Sequence, residues 1–171
     1  MTYPIVRYGN PVLERPAETV TEFDTPELKR LLEDMFESMY AAKGVGLAAP
    51  QIGIGRRIAV IDPSNGQDEA QRLVLINPEI VKIEGAQVGE EGCLSIPGFR
   101  EQVKRAQRVT VRAQDATGAA YEKTGEDLLA RAFLHETDHL NGRLYINHVS
   151  ALKRDLIRRK IRKLQKAGEW A

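Results

Sequence analysis

Apolar residues recur at three- and four-residue spacing through Leu28, Leu31, Leu32, Met35 and Met39, which predicts an amphipathic helix. Thr25 at the N-cap, Pro26 at the first helical position and Glu27 in the first turn open it, and Gly44 ends it. The glycine-rich segment 44–55 follows, with a backbone able to turn and to approach a ligand closely. The period then changes. Residues 57–61, 72–76 and 80–83 are short aliphatic, β-branched runs separated by Asp62-Pro63-Ser64-Asn65-Gly66 and Asn77-Pro78, the pattern of strands and turns. Arg108–Gln114 alternates Val109, Val111 and Ala113 with Arg108, Thr110 and Arg112, a half-buried strand that turns at Asp115-Ala116-Thr117-Gly118 into 119–123. Gly125-Glu126-Asp127 opens a second helix to about Asn141, with Gly142 as its C-cap, and Leu128, Ala132, His135 and His139 fall along one face of it. A third helix is predicted from Ser150 to about Ala167, with Leu152, Leu156, Ile157, Ile161 and Leu164 as its stripe. The expected class is α+β: antiparallel sheets around a central metal-binding helix, in a single domain over 1–171 that ends in a C-terminal basic helix over 150–167.

Composition adds boundaries. With 171 residues, 42% hydrophobic and 29% charged, the chain fits one soluble globular domain and lacks the bias of disorder. The net charge of +1 excludes a polyelectrolyte built for nucleic acid. That balance is uneven: from Ala151 onward eight Lys/Arg stand against Asp155 and Glu169, a surplus of six that leaves the preceding residues mildly acidic. No apolar leader opens the sequence and no run is long enough to span a bilayer, so a cytoplasmic protein without membrane contact is expected. The single cysteine, Cys93, rules out an intrachain disulfide framework and suits a reducing compartment.

His135-Glu136-Thr137-Asp138-His139 is an H-E-x-x-H motif within the second helix. Spacing of four puts both imidazoles on one helix face, where they can reach one ion. Glu136 is then placed to act as a base at an open coordination position. Two histidines leave such a site incomplete, and Cys93, the only thiol, is the candidate third ligand. Paired histidines on a helix are also a common surface accident. Here, however, two of only three histidines fall in the motif, on the apolar side of their helix. A zincin protease would supply a third ligand downstream, and His148 lies outside that spacing. Asp138 is expected to face away from the metal, in a structural role, paired with Arg105.

Three segments together resemble the peptide deformylase family. Residues 44–53, Gly-Val-Gly-Leu-Ala-Ala-Pro-Gln-Ile-Gly, match its G-x-G-L-A-A-x-Q motif, Glu91-Gly92-Cys93-Leu94-Ser95 its E-G-C-L-S motif, and His135 to Leu140 its H-E-x-D-H-L motif. Their order and separation fit, and the opening Arg7-Tyr8-Gly9-Asn10-Pro11-Val12-Leu13 is also similar. Many members carry Gln where this chain has Leu134, a departure at a position that is not a ligand, expected to affect local packing or the contacts behind the ligands and not to abolish activity. The resemblance implies a hydrolase that removes the N-formyl group from the formylmethionine of nascent polypeptides and releases formate. It implies one divalent ion, Fe²⁺ first and Zn²⁺, Ni²⁺ or Co²⁺ as alternatives, held by Cys93, His135 and His139. Glu136 would carry the proton, and the Gln51 amide and Leu94 N–H would steady the oxyanion. Gly46 and Arg100 would contact the peptide backbone, while Val45, Leu128 and Ala132 line the methionine pocket by position. A monomer is expected, with ribosome contact through the basic C-terminal helix as a partner interaction, although a solvated charged face is the simpler account of that helix. Two other classes remain open from sequence: an H-E-x-x-H metallopeptidase, and a non-catalytic binding module in which the metal serves folding alone.

Overall fold

The computed structural model describes residues 1–170. Helix α1 (Pro26–Ala41) starts where its signals place it, with the Thr25 hydroxyl accepting the Leu28 N–H at 3.1 Å. Then come β1 (Gly46–Ala48), β2 (Ile58–Ile61), β3 (Leu73–Glu84), β4 (Gln87–Cys93), β5 (Ile96–Arg105), β6 (Arg108–Gln114), β7 (Ala120–Glu126), α2 (Asp127–Leu140) and α3 (Ala151–Lys166). Five strands form one antiparallel sheet in the order β1-β2-β3-β6-β7, while β4 and β5 pair only with each other.

The two-residue period of the strands builds the layers. Ile58, Val60 and Ile76 pack on Leu28, Leu32, Met35 and Met39 of α1. Their neighbours Ala59, Ile61 and Leu75 face the other way, onto Ala130, Phe133 and Leu140 of α2. A sheet covered on both faces has no need of polar positions in its central strands, which is why β2 reads as the unbroken run Ile-Ala-Val-Ile. The β4–β5 hairpin lies against α2 on the side away from the large sheet: Arg131 of α2 donates to the Val103 carbonyl of β5 at 3.1 Å. The helix carrying the histidines is therefore enclosed by sheet on one side and hairpin on the other, and the α+β arrangement with a C-terminal helix is as expected.

Three features differ from the sequence reading. The runs 72–76 and 80–83 are one strand, β3, with the Asn77-Pro78 break absorbed as a bulge. Asn77 takes a φ of +52 and its amide donates to the Val20 carbonyl (2.9 Å) and the Gln114 side chain (2.8 Å). The Pro78 carbonyl accepts from Arg57, so the bulge loses few polar partners. Secondly, the hairpin was not anticipated, because its pattern is polar and glycine-rich, with Glu91 and Arg105 among its buried positions. Thirdly, only part of the α3 stripe is covered. Ile157 and Ile161 are buried while Leu152 and Leu156 are 71% and 44% exposed. At roughly 100° per residue, the Leu152–Leu156 line lies about a quarter-turn or more from the Ile157–Ile161 line. Among the described residues, no helix is long and apolar enough to cross a membrane.

Gly142 ends α2 with a φ of +75, as its C-cap role requires. A Cβ there would also stand 2.9 Å from the Glu14 carbonyl oxygen and the Arg15 carbonyl carbon. Gly142→Ala is thus expected to cost more than the roughly 1–2 kcal/mol of left-handed strain alone, seen as a lowered urea midpoint at unchanged slope. An unchanged midpoint would mean that the 14–15 backbone gives way freely.

Candidate metal centre

One side of α2 is spent on the sheet, and the residues that remain for the hairpin side are polar. Arg131, His135 and His139 follow at intervals of four, so they stack along one line of the helix. The two imidazole rings have centroids 5.0 Å apart at an interplanar angle of 66°. Cys93 ends β4 at the hairpin turn and brings its Sγ to 3.4 Å from His139 Nε2. One donor atom from each of Cys93, His135 and His139 lies within 4.8 Å of the others.

These donors fit a single ion. A sulfur and an imidazole nitrogen bound tetrahedrally to one metal stand about 3.6 Å apart, given bond lengths of about 2.3 and 2.1 Å. The chemistry of the group agrees: burial alone would push the Cys93 thiol up, but His139 and His135 outweigh it and bring its pKa down to about 5, so the ligand form, a thiolate, prevails at neutral pH. His135 is raised well above its ordinary value, since Glu136, Cys93 and Glu91 together overcome burial. His148, the remaining histidine, is not in the cluster. Its Nε2 pairs with Asp138 at 2.8 Å.

Behind the cluster sits a buried ionic network centred on Glu91. Arg105 donates to both carboxylate oxygens, Nε at 2.9 Å and Nη2 at 2.8 Å. Arg131 Nη1 adds a third bond at 2.5 Å, and His135 Nδ1 a fourth at 2.8 Å. Arg105 also reaches Asp138 at 2.9 Å, the pairing expected from sequence. Burial works against the charge on Glu91, yet Arg105 and His135 hold it well below the usual carboxylate range. Because Glu91 accepts from Nδ1, the Nε2 of His135 is left for the cluster. Tyr145 stacks on the His135 ring, centroids 6.4 Å apart at 19°, and limits its rotation.

In front of the cluster opens a cleft of about 580 Å³. Of the eleven residues singled out from sequence, ten line it: Cys93, His135, Glu136, Gln51, Leu94, Val45, Gly46, Arg100, Leu128 and Ala132. The eleventh, His139, is buried just behind. Glu136 is 4% exposed, its Oε1 has no protein partner, and burial raises its pKa against the pull of the two imidazoles. Gly46 makes room for it, since a Cβ there would lie 2.5 Å from Glu136 Oε2. Gln51 accepts the Ala48 N–H at 3.0 Å through Oε1. Its amide Nε2 donates to Ser95 Oγ at 3.2 Å and points to Cys93 Sγ at 3.5 Å. Leu128 stands at the rim, 48% exposed. Arg100 pairs with Glu90 at 2.5 Å. Leu134 packs at the edge of the core between α2 and the sheet.

Sequence reasoning assigned no role to Glu91, Arg131 or Phe99. Two of them carried a signal. Glu91 lies two residues before Cys93 on the same strand and so shares its face, and Arg131 lies one helical turn before His135. Phe99, which also lines the cleft, had none.

The family described as polypeptide deformylase matches residues 2–155. A curated relative named peptide deformylase, from Acidobacterium capsulatum, is 61% identical over 170 residues, covering 99% of both chains. Among solved structures, a peptide deformylase from Legionella pneumophila superposes with a TM-score of 0.89 at 45% identity, covering 98% of each chain. One from Thermus thermophilus gives 0.87 at 44% identity, with 95% of each chain covered.

Removing the centre of the network would leave Arg105 and Arg131 buried without their shared carboxylate. Glu91→Ala is therefore expected to lower stability by about 3–5 kcal/mol, measured by urea unfolding. A loss below about 1 kcal/mol would show that water replaces the carboxylate and that the network contributes little.

Proposed function

The chain belongs to the peptide deformylase family, and we propose that Cys93, His135 and His139 form its metal centre and Glu136 its proton carrier. It is an enzyme that removes the N-formyl group from nascent polypeptides. Hydrolysis of the formyl amide releases formate and a free α-amine. The observation that carries the assignment of roles is the buried, unpartnered Glu136 Oε1 beside three convergent donors at the head of the cleft. A purely structural metal site is normally closed by a fourth protein ligand and needs no such carboxylate.

A divalent ion on these donors would supply Lewis acidity, polarising the formyl carbonyl and making water acidic enough to attack near neutral pH. The protein's own groups do the rest. Glu136, whose burial raises its affinity for a proton, takes the proton of the attacking water as a carboxylate and returns it to the departing amine. The Gln51 amide and the Leu94 N–H are the donors for the oxyanion, and Ser95 keeps the Gln51 amide turned toward Cys93. Val45, Leu128 and Ala132 offer apolar surface to the methionine side chain. Arg100 and the Gly46 backbone contact the peptide beyond it.

The ion proposed is Fe²⁺. Zn²⁺, Ni²⁺ and Co²⁺ compete for the same Cys/His/His set, and availability decides among them. We place the protein in the cytoplasm as a monomer of one catalytic domain, 1–171. Basic α3, with Leu152 and Leu156 exposed beside its lysines and arginines, is the surface proposed to meet the ribosome.

Anaerobically purified protein is expected to release formate from formyl-Met-Ala in step with about one ion per chain, iron predominating, and to stop on chelation. Glu136→Gln should keep its metal while kcat falls about 10²- to 10⁴-fold. Full activity in that variant would remove Glu136 from the mechanism, and metal-loaded protein that cleaves ordinary peptides but not formyl-Met-Ala would make it a metallopeptidase. Co-sedimentation with ribosomes should weaken steeply between low and moderate salt. Failure to co-sediment at any salt concentration would leave α3 as a solvated charged face.

A further inference from the structure

We infer that Trp170 is a positioning residue for the substrate cleft, holding Phe99 in the cleft wall from behind. Phe99 lies on β5 and lines the cleft next to Arg100. The Trp170 ring meets it edge to face, with centroids 6.3 Å apart at 70°. Phe99 follows directly on Pro97-Gly98, and Gly98 has a φ of +84. Its ring is only partly buried, so between open cleft on one side and a glycine turn before it, Trp170 is its backstop.

Trp170 can serve as one because it is itself fixed from several sides. Its indole N–H donates to the Tyr8 carbonyl at 2.8 Å. The Arg7 guanidinium lies over its ring, 5.6 Å from the centroid. Its body sinks into the cluster of Ile96, Val103 and Ile161, leaving it 8% exposed. Tyr8 is also tied at both ends: its N–H donates to the Ser95 carbonyl at 2.8 Å, and its hydroxyl accepts from Arg158 Nε at 3.0 Å. The segment after α3 thus reaches back across the N-terminal segment at Arg7 and Tyr8 to the cleft wall. An indole whose only task was to fasten that segment would not need to abut a residue that faces substrate.

The inference rests on the deformylase reading of the cleft, and its test separates the two. Full-length Trp170→Ala and Trp170→Phe are compared with the unaltered chain on formyl-Met-Ala-Ser, with metal content and melting temperature followed in parallel. Trp170→Ala is expected to raise KM about threefold to tenfold, the worth of one aromatic pair, with kcat held within about twofold. Trp170→Phe keeps a ring behind Phe99 and is expected to bring KM back close to that of the unaltered chain. A Trp170 with a structural role only would lower the melting temperature and the active fraction, hence kcat, with KM unchanged in Trp170→Ala, and that result overturns the inference. Should Trp170→Ala not fold, the emission of the unaltered chain decides, since Trp170 is its only tryptophan. The product peptide Met-Ala-Ser should shift that emission with the same midpoint at which it inhibits, and emission indifferent to inhibiting product overturns the proposal. An unaltered chain that releases no formate overturns the reaction itself, and the role of Trp170 with it.

Discussion

Four nitrogens converge on the two carboxylate oxygens of Glu91: two from Arg105, one from Arg131 and one from His135. The hairpin that supplies Glu91 and Cys93 has little else with which to grip α2, because its residues are mostly polar and β4 contributes no large apolar side chain to the core. Desolvating these charges is costly, and a hydrophobic replacement of the same volume would often be as stable. What an apolar contact could not provide is register. A bidentate guanidinium tolerates little sliding or rotation. Here the bidentate pair, Arg105 with Glu91, lies within the hairpin and locks β4 to β5, while the bonds of Glu91 to Arg131 and His135 and of Arg105 to Asp138 tie the hairpin to α2 and set the height at which Cys93 meets the two imidazoles.

The same contacts set the chemistry of the donors. Asp138 gives Arg105 a second carboxylate, and His148 in turn meets Asp138, so the buried positive charge of the two arginines is matched by two carboxylates. The two imidazoles prevail over burial in bringing the Cys93 thiol down to about 5, and Glu91 helps to raise His135. Glu136, which no arginine touches, moves the opposite way: burial prevails over the pull of the imidazoles, and the charges of Cys93 and Glu91 add to it. Two glutamates within one cluster thus differ in proton affinity because one is clamped by cations and the other is left free.

How much of this was legible in the sequence follows from which interactions have a period. The helices and the large sheet were readable because their burial is apolar and periodic: the α1 stripe from Leu28 to Met39 and the alternation Val109, Val111, Ala113 both reappear as buried faces. The H-E-x-x-H spacing and a lone thiol sufficed to nominate three donors that the fold brings together. The hairpin escaped because polar partners hold it, and a polar contact across forty residues, such as Arg131 with Glu91, leaves no periodic trace. The β3 bulge escaped because Asn77-Pro78 looks like a terminator locally. Only tertiary partners, Val20, Gln114 and Arg57, make it tolerable inside a strand. On α3 the fault was geometric, five apolar residues being counted as one face when their angles divide them into two.

Glycine in the first motif illustrates a last distinction. Read alone, Gly46 suggests close approach of a peptide to backbone, and the cleft does run past it. Its missing Cβ, however, is also the space in which the Glu136 carboxylate lies. The constraint on this position therefore comes from both sides: the open cleft in front and the Glu136 carboxylate behind. A methyl group here would displace the buried oxygens of Glu136 toward the cluster or force β1 outward, and β1 is held to β2 through Gly46, Leu47 and Ala48. The first and third motifs are thus coupled through a volume too small to be shared, while the second and third are coupled through charge. Three segments distant in sequence keep one geometry because each is fixed by its neighbour and not by its own backbone alone.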